Sequence, residues 1–168
     1  MKNKIKNNGL TLMELLIVIA IVAMMTSMIF MATRGSWIDA NKRQTAGTIA
    51  IIEGALDEYR DYEGSFPNRY LAVDFNSTGL SYPAQLNRSA SLYSLLTSIP
   101  DSKKALERIA DNQIFMVTVA GKNYFVFIDA WKQVIDYRFM AGINTYPLIV
   151  SAGPDKIFNT ADDMTNRK

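Results

Sequence analysis

Two places in this chain gather side chains that could do chemistry, and both are acidic. The first is Glu14, the one charged residue in the apolar run Leu10–Ala32. A carboxylate inside an apolar helix costs a few kcal/mol on insertion scales and marks a functional position. The chemistry open to it is neutralisation of a positive charge. The second is a C-terminal cluster: Asp155, Asn159, Thr160, Asp162 and Asp163. Carboxylates with neutral amide and hydroxyl oxygens are hard donors, and turn carbonyls would complete the 6–8 ligands at about 2.3–2.6 Å that calcium takes. Three acids crowded in one loop repel unless a cation or solvent intervenes. The plainer reading is a solvated polar tail. The chain has no histidine and no cysteine, which excludes Ser-His and Cys-His machinery and imidazole ligation. A metal here would be held by oxygen alone, which points to calcium rather than zinc.

The element that positions Glu14 begins behind a basic leader. Lys2, Lys4 and Lys6 precede Gly9, and no polar side chain occurs between Leu15 and Met25. As a helix, the 23 positions Leu10–Ala32 would be about 34 Å long, enough for a bilayer core of about 30 Å. A cleaved secretory signal is one reading, but the apolar run exceeds the usual 7–15 residues and no small-x-small site follows it. A signal anchor with its lysines kept cytoplasmic is another. It accounts for the length and leaves Glu14 unexplained.

The residues Gly9-Leu10-Thr11-Leu12-Met13-Glu14-Leu15-Leu16-Ile17-Val18-Ile19-Ala20-Ile21 closely resemble the class III signal of type IV pilins and type II secretion pseudopilins. The resemblance implies that a prepilin peptidase cuts between Gly9 and Leu10, that the new amine is methylated, and that the helix stays in the membrane. Glu14 becomes the fifth mature residue. The family prefers Phe as the first mature residue, where this chain has Leu10. Cleavage creates an α-amino group one helical turn from Glu14. The carboxylate could neutralise it in the same subunit or in the next one of a helical stack, and such a pair attracts strongly at low dielectric. In the family this glutamate is tied to subunit addition.

The formal charge of +2 comes from the leader: residues after Gly9 carry 15 basic and 16 acidic side chains. No basic run with interleaved aromatics suggests nucleic-acid binding. From Thr45, the positions Ile49, Ile52, Leu56 and Tyr59, with Ile51, Ala55 and Tyr62 alongside, predict an amphipathic helix with one face on a core. Gly47 and Gly54 lower its propensity, and Gly64 before Ser65-Phe66-Pro67 ends it. Residues 68–89 read as loop, with turns at Asn76-Ser77-Thr78-Gly79 and Tyr82-Pro83. Short helices are expected over Ser91–Ser98 and, capped by Asp101, over Ser102–Ala110. Strands follow at Ile114–Val119, Tyr124–Ile128, Gln133–Phe139 and Tyr146–Ser151, the first two forming a hairpin about Ala120–Asn123.

Two C-terminal blocks extend the resemblance. Asp129-Ala130-Trp131-Lys132-Gln133-Val134-Ile135-Asp136-Tyr137 is similar to the "D.WG.P..Y" block of major pseudopilins, with Lys132 for the glycine and Val134 for the proline. Trp131 is expected in the core. Ser151-Ala152-Gly153-Pro154-Asp155-Lys156-Ile157-Phe158-Asn159-Thr160-Ala161-Asp162-Asp163-Met164 resembles the family ending "SAGPDG.FGT.DDI", where the loop can hold calcium. Lys156 and Asn159 stand for glycines. The absence of cysteine leans toward pseudopilins, since many adhesive pilins carry a C-terminal disulfide.

The expected molecule is therefore α+β and pilin-like: leader 1–9, transmembrane and filament-core helix 10–33, amphipathic continuation 34–64, and a periplasmic head 65–168 with a small antiparallel sheet. By resemblance it is a structural subunit of a type II secretion pseudopilus, anchored once in the inner membrane. Its partners would be further copies of itself, the prepilin peptidase, minor pseudopilins, the inner-membrane assembly platform and lipid. Within the class the alternative is a pilin or minor pilin for adhesion, motility or DNA uptake. Outside it, a membrane-anchored enzyme would have to use the acidic cluster, where no acid–base partner is evident. No enzymatic activity is expected.

Overall fold

The structure, a computed structural model, describes residues 12–68, 75 and 82–167, with backbone only at 29–34. Helix α1, Leu12–Glu63, runs unbroken for 52 residues. It stops where the sequence predicts: Gly64 takes a left-handed φ of 76° and its N–H donates to the Arg60 carbonyl at 2.7 Å. Glycine adopts that conformation without steric cost, so it closes helices well.

The chain divides into two units between Asp39 and Ala40. In the first, every described side chain from Leu12 to Met28 is exposed, which leaves an apolar helix surface on all sides. The polar exceptions include Thr26 and Ser27. Their hydroxyls donate to the helix's own carbonyls, at Val22 over 2.6 Å and Met24 over 2.8 Å, so they ask for no external partner. Among the described residues no helix is long and apolar enough to cross a membrane. The start of the expected 10–33 span and its side chains from 29 onward lie outside the described residues, as does the leader.

The second unit is built on the remainder of α1. Its predicted stripe is buried at Ile49, Ile52 and Leu56, with Ala55 beside them, while Tyr62 faces out. Burying each such aliphatic side chain contributes about 1.5–3 kcal/mol. The stripe continues upward through Thr45 and Thr48, also buried. Helix α2, Ala84–Ser98, begins earlier than expected, directly after Pro83, so the predicted loop is shorter. Proline tends to sit where a helix starts because its missing N–H has no bond to lose there. Helix α3 spans Pro100–Leu106, with Pro100 at its first turn and no side-chain cap; Asp101 lies inside the first turn rather than before it. The predicted turn at Asn76–Gly79 lies outside the described residues.

A short 3₁₀ turn, Asp111–Gln113, leads into strands β1, Ile114–Val119, and β2, Lys122–Phe127. They form the expected hairpin, with Val117 opposite Tyr124. Among the described residues two small antiparallel sheets occur where one was expected. The hairpin is one, and β3 (Asp136–Arg138), β4 (Leu148–Ser151) and β5 (Met164–Thr165) form the other in that order. The predicted third strand is cut short, because Val134 makes only an isolated bridge to Ile128 before β3 begins. β5 was not foreseen, since two residues carry no periodic signal. The main core joins α1, α2, β2, β3 and β4 through Ile52, Leu56, Leu96, Phe127, Tyr137 and Ile149. A smaller cluster gathers Phe75, Ala90, Val119, Val126 and Ile128.

Candidate functional site

Glu14 sits in the first turn of α1, exposed like its neighbours. An acid there is favoured by the positive end of the helix dipole. Gly9 and Leu10, the expected processing pair, lie outside the described residues.

The two C-terminal blocks come together at a buried acid. Asp129 is fully buried and caps the turn that follows it. Its Oδ1 accepts from the N–H groups of Trp131 at 2.9 Å and Gln133 at 2.8 Å. Its Oδ2 accepts from the Ser151 hydroxyl at 2.7 Å, and Ser151 Oγ in turn accepts from Gly153 N at 3.2 Å. Burial pushes the Asp129 carboxyl above its ordinary value, against the pull of these hydrogen bonds and of the Lys156 charge. Thr45 of α1 joins the same turn by accepting from Ala130 N at 3.2 Å. Trp131 is half-buried and belongs to neither core cluster. The expectation of a core tryptophan is corrected: the turn uses the residue's N–H, and its half-buried ring packs in neither core cluster.

Beyond Gly153 the acidic loop folds onto itself. Gly153 has φ 67°, and a Cβ there would lie 2.3 Å from the Asp162 carbonyl oxygen, so only glycine permits this closure. Asp162 Oδ1 accepts from the Thr160 hydroxyl at 2.6 Å, and its Oδ2 accepts from Asp155 N at 3.1 Å. The Thr160 hydroxyl, then the Asp155 N–H, hold the Asp162 carboxyl below the usual carboxylate range. The Asp155 side chain lies close enough to contribute to that shift, and its Oδ1 accepts from Ile157 N at 2.8 Å.

The five predicted ligands therefore divide. Asp155, Thr160 and Asp162 converge. Asn159 turns its amide oxygen to Arg138 Nη1 at 3.3 Å, and Asp163 Oδ2 accepts from Asn159 N at 2.8 Å. Asp163 Oδ1 is buried without a hydrogen-bond partner. Among the described residues no group of three or more acidic side chains is gathered as a metal would require. The donor set thus fits an oxygen-liking ion in part: two adjacent carboxylates, with any further ligands from hydroxyl and backbone oxygens.

Three departures from the resembled blocks share one backbone property. Lys132, Lys156 and Asn159 stand where the family pattern has glycine, and their φ angles are 66°, 64° and 69°. The left-handed path is kept though the glycine is not. Each side chain reaches something glycine could not. Lys132 Nζ donates to the Asn112 carbonyl at 2.9 Å, Asn159 meets Arg138, and Lys156 lends charge to Asp129.

A second buried acid had no signal in the sequence. Asp136 is fully buried and held by two arginines. Arg88 of α2 reaches it twice, Nε to Oδ1 at 2.6 Å and Nη2 to Oδ2 at 2.9 Å. Arg138 Nε reaches Oδ2 at 2.7 Å. Arg88 and Asp136 are 48 positions apart, so no local spacing could reveal the pair.

Residues 4–30 match the model of the prokaryotic N-terminal methylation motif. The chain thus carries a type IV pilin-like N-terminal signal, on a fold with a long N-terminal helix and small antiparallel sheets. No curated protein matches the chain and no solved structure does.

Proposed function

We propose that this chain is a structural subunit of a type II secretion pseudopilus, cut between Gly9 and Leu10 by a prepilin peptidase, methylated on the new amine, and stacked through its N-terminal helix. The observation that carries the reading is the methylation motif over residues 4–30, with Glu14 at the fifth mature position. The apolar exposure of Leu12–Met28 supports it. A helix apolar on all sides is stable only in lipid or inside an assembly. Before assembly the helix would hold the subunit in the inner membrane with the head in the periplasm; afterwards the helices would line the filament core. The resemblance of the 129–137 and 151–164 blocks is what favours a pseudopilin over a pilin.

Mass spectrometry of the mature N-terminus tests the reading. A chain beginning at Leu10 with a methylated amine is expected. An intact Met1 terminus, or a start downstream of Ala32, would overturn it. Long surface filaments, in place of short periplasmic ones, would move the protein to the pilins.

The C-terminal loop has a proposed cofactor, calcium. Asp155 and Asp162 would hold it, with Thr160 and loop carbonyls alongside, and Asn159 and Asp163 in support. Bound calcium would relieve the repulsion of adjacent carboxylates and pin the loop, as a disulfide does elsewhere. Sites of this extracellular kind bind at about 10⁻⁴–10⁻³ M. Millimolar calcium is expected to raise the melting temperature and slow proteolysis after Gly153; an unchanged melt and cleavage pattern would remove calcium from the account.

A further inference from the structure

We propose that Arg138 couples the C-terminal loop to helix α2, so that the state of the loop sets how firmly α2 is held. Asp136 has no exposure to solvent, and a buried carboxylate must be compensated by partners on all its lone pairs. Arg88 supplies two of the contacts from α2, and Arg138 supplies the third from β3. Arg138 is gripped from its outer side by the loop. Its Nη1 donates to Asn159 Oδ1 at 3.3 Å, and its guanidinium lies 5.7 Å from the Phe158 ring centroid. One guanidinium thus spans a buried acid and a surface loop. When residues 158–159 let go, Arg138 gains freedom, Asp136 loses part of its compensation, and the Arg88 fork is the contact left to adjust.

The residue at 159 fits this role. Its φ of 69° suits glycine, yet an asparagine stands there, and its amide oxygen is what meets Arg138. Next to Arg88 on α2, Ser89 Oγ accepts from Phe127 N at 3.0 Å. A shift of Arg88 is therefore passed to the hairpin side of the core as well. The inference goes beyond the filament and calcium readings and depends on neither.

Hydrogen exchange by mass spectrometry on the full chain in detergent tests it. Asn159→Gly keeps the left-handed backbone and removes the acceptor, and the strain it relieves works against any loosening. It is expected to speed exchange across residues 84–98 about three- to tenfold, the scale of one weakened hydrogen bond to a charged group. Lys156→Gly relieves the same loop without touching Arg138, and exchange in 84–98 should stay at or below the wild-type rate. In an Arg138→Gln background the Asn159 change should add nothing further. Should Arg138→Gln fail to fold, Phe158→Leu replaces it and is expected to loosen α2 as Asn159→Gly does. Unchanged exchange over 84–98 in Asn159→Gly would overturn the coupling. So would an equal acceleration in Lys156→Gly, which would make it a general loosening of the loop.

Discussion

At the scale of single residues, two positions carry measurable costs. Lys156 holds a left-handed backbone angle, which disfavours a residue with a Cβ by roughly 1–2 kcal/mol. Glycine relieves that strain and returns part of the gain as unfolded-state entropy. Lys156→Gly is therefore expected to stabilise the protein by about 0.5–1 kcal/mol, read by urea denaturation. Asp129 sets a pH dependence. Its folded carboxyl titrates above the ordinary 3.8 because it is buried. Just above pH 3.8 the folded state then keeps a proton that the unfolded chain has released, and stability falls as pH rises through that window. Asp129→Asn keeps an acceptor for the Trp131 and Gln133 N–H groups and removes the titration. Its stability relative to wild type should climb with pH from about 4 upward. Parallel pH profiles for the two proteins would refute the assignment.

Individual elements show what local pattern reveals and where it stops. The α1 stripe at Ile49, Ile52 and Leu56 was legible because a helix repeats every 3.6 residues, and its end was legible at Gly64. The hairpin was legible because β-branched and aromatic residues flank a Gly-containing turn. The start of α2 was missed because polar residues such as Gln85, Asn87 and Arg88 give no apolar rhythm, though Pro83 marks its entry. The pairing of Asp136 with Arg88 and the two-residue β5 depend on contacts far apart in the chain. In the acidic loop, residue types were readable, yet which oxygens face each other was decided by the backbone turns at Gly153, Lys156 and Asn159. Gly47 and Gly54 of α1 lower its propensity with no packing reason within the subunit, since a Cβ at either would meet nothing within 4 Å. Gly54→Ala should thus stabilise the isolated subunit by about 1 kcal/mol, or a melting-temperature rise of about 2–4 °C. A lowered melting temperature would mean that the glycine is needed within the subunit itself.

For the molecule as a whole, the decisive group is Glu14. In the proposed filament it meets an α-amino charge made by cleavage, and an unpaired charge in an apolar setting is costly. Glu14→Leu should enter the membrane and be processed as wild type does, yet its incorporation into filaments should fall below detection by immunoblot of sheared fibres. Normal incorporation would dissociate assembly from that pairing.

The placement of Asp136 also governs how the head should respond to brine. At 1 M ionic strength screening acts over about 3 Å, and the exposed contacts of Arg60 with Asp57 and Asp61, at 3.6 and 3.5 Å, are open to it. The carboxylate that joins α2 to β3 is sealed from mobile ions. The tie between α2 and β3 should therefore weaken less with added salt than the Arg60 pairs do.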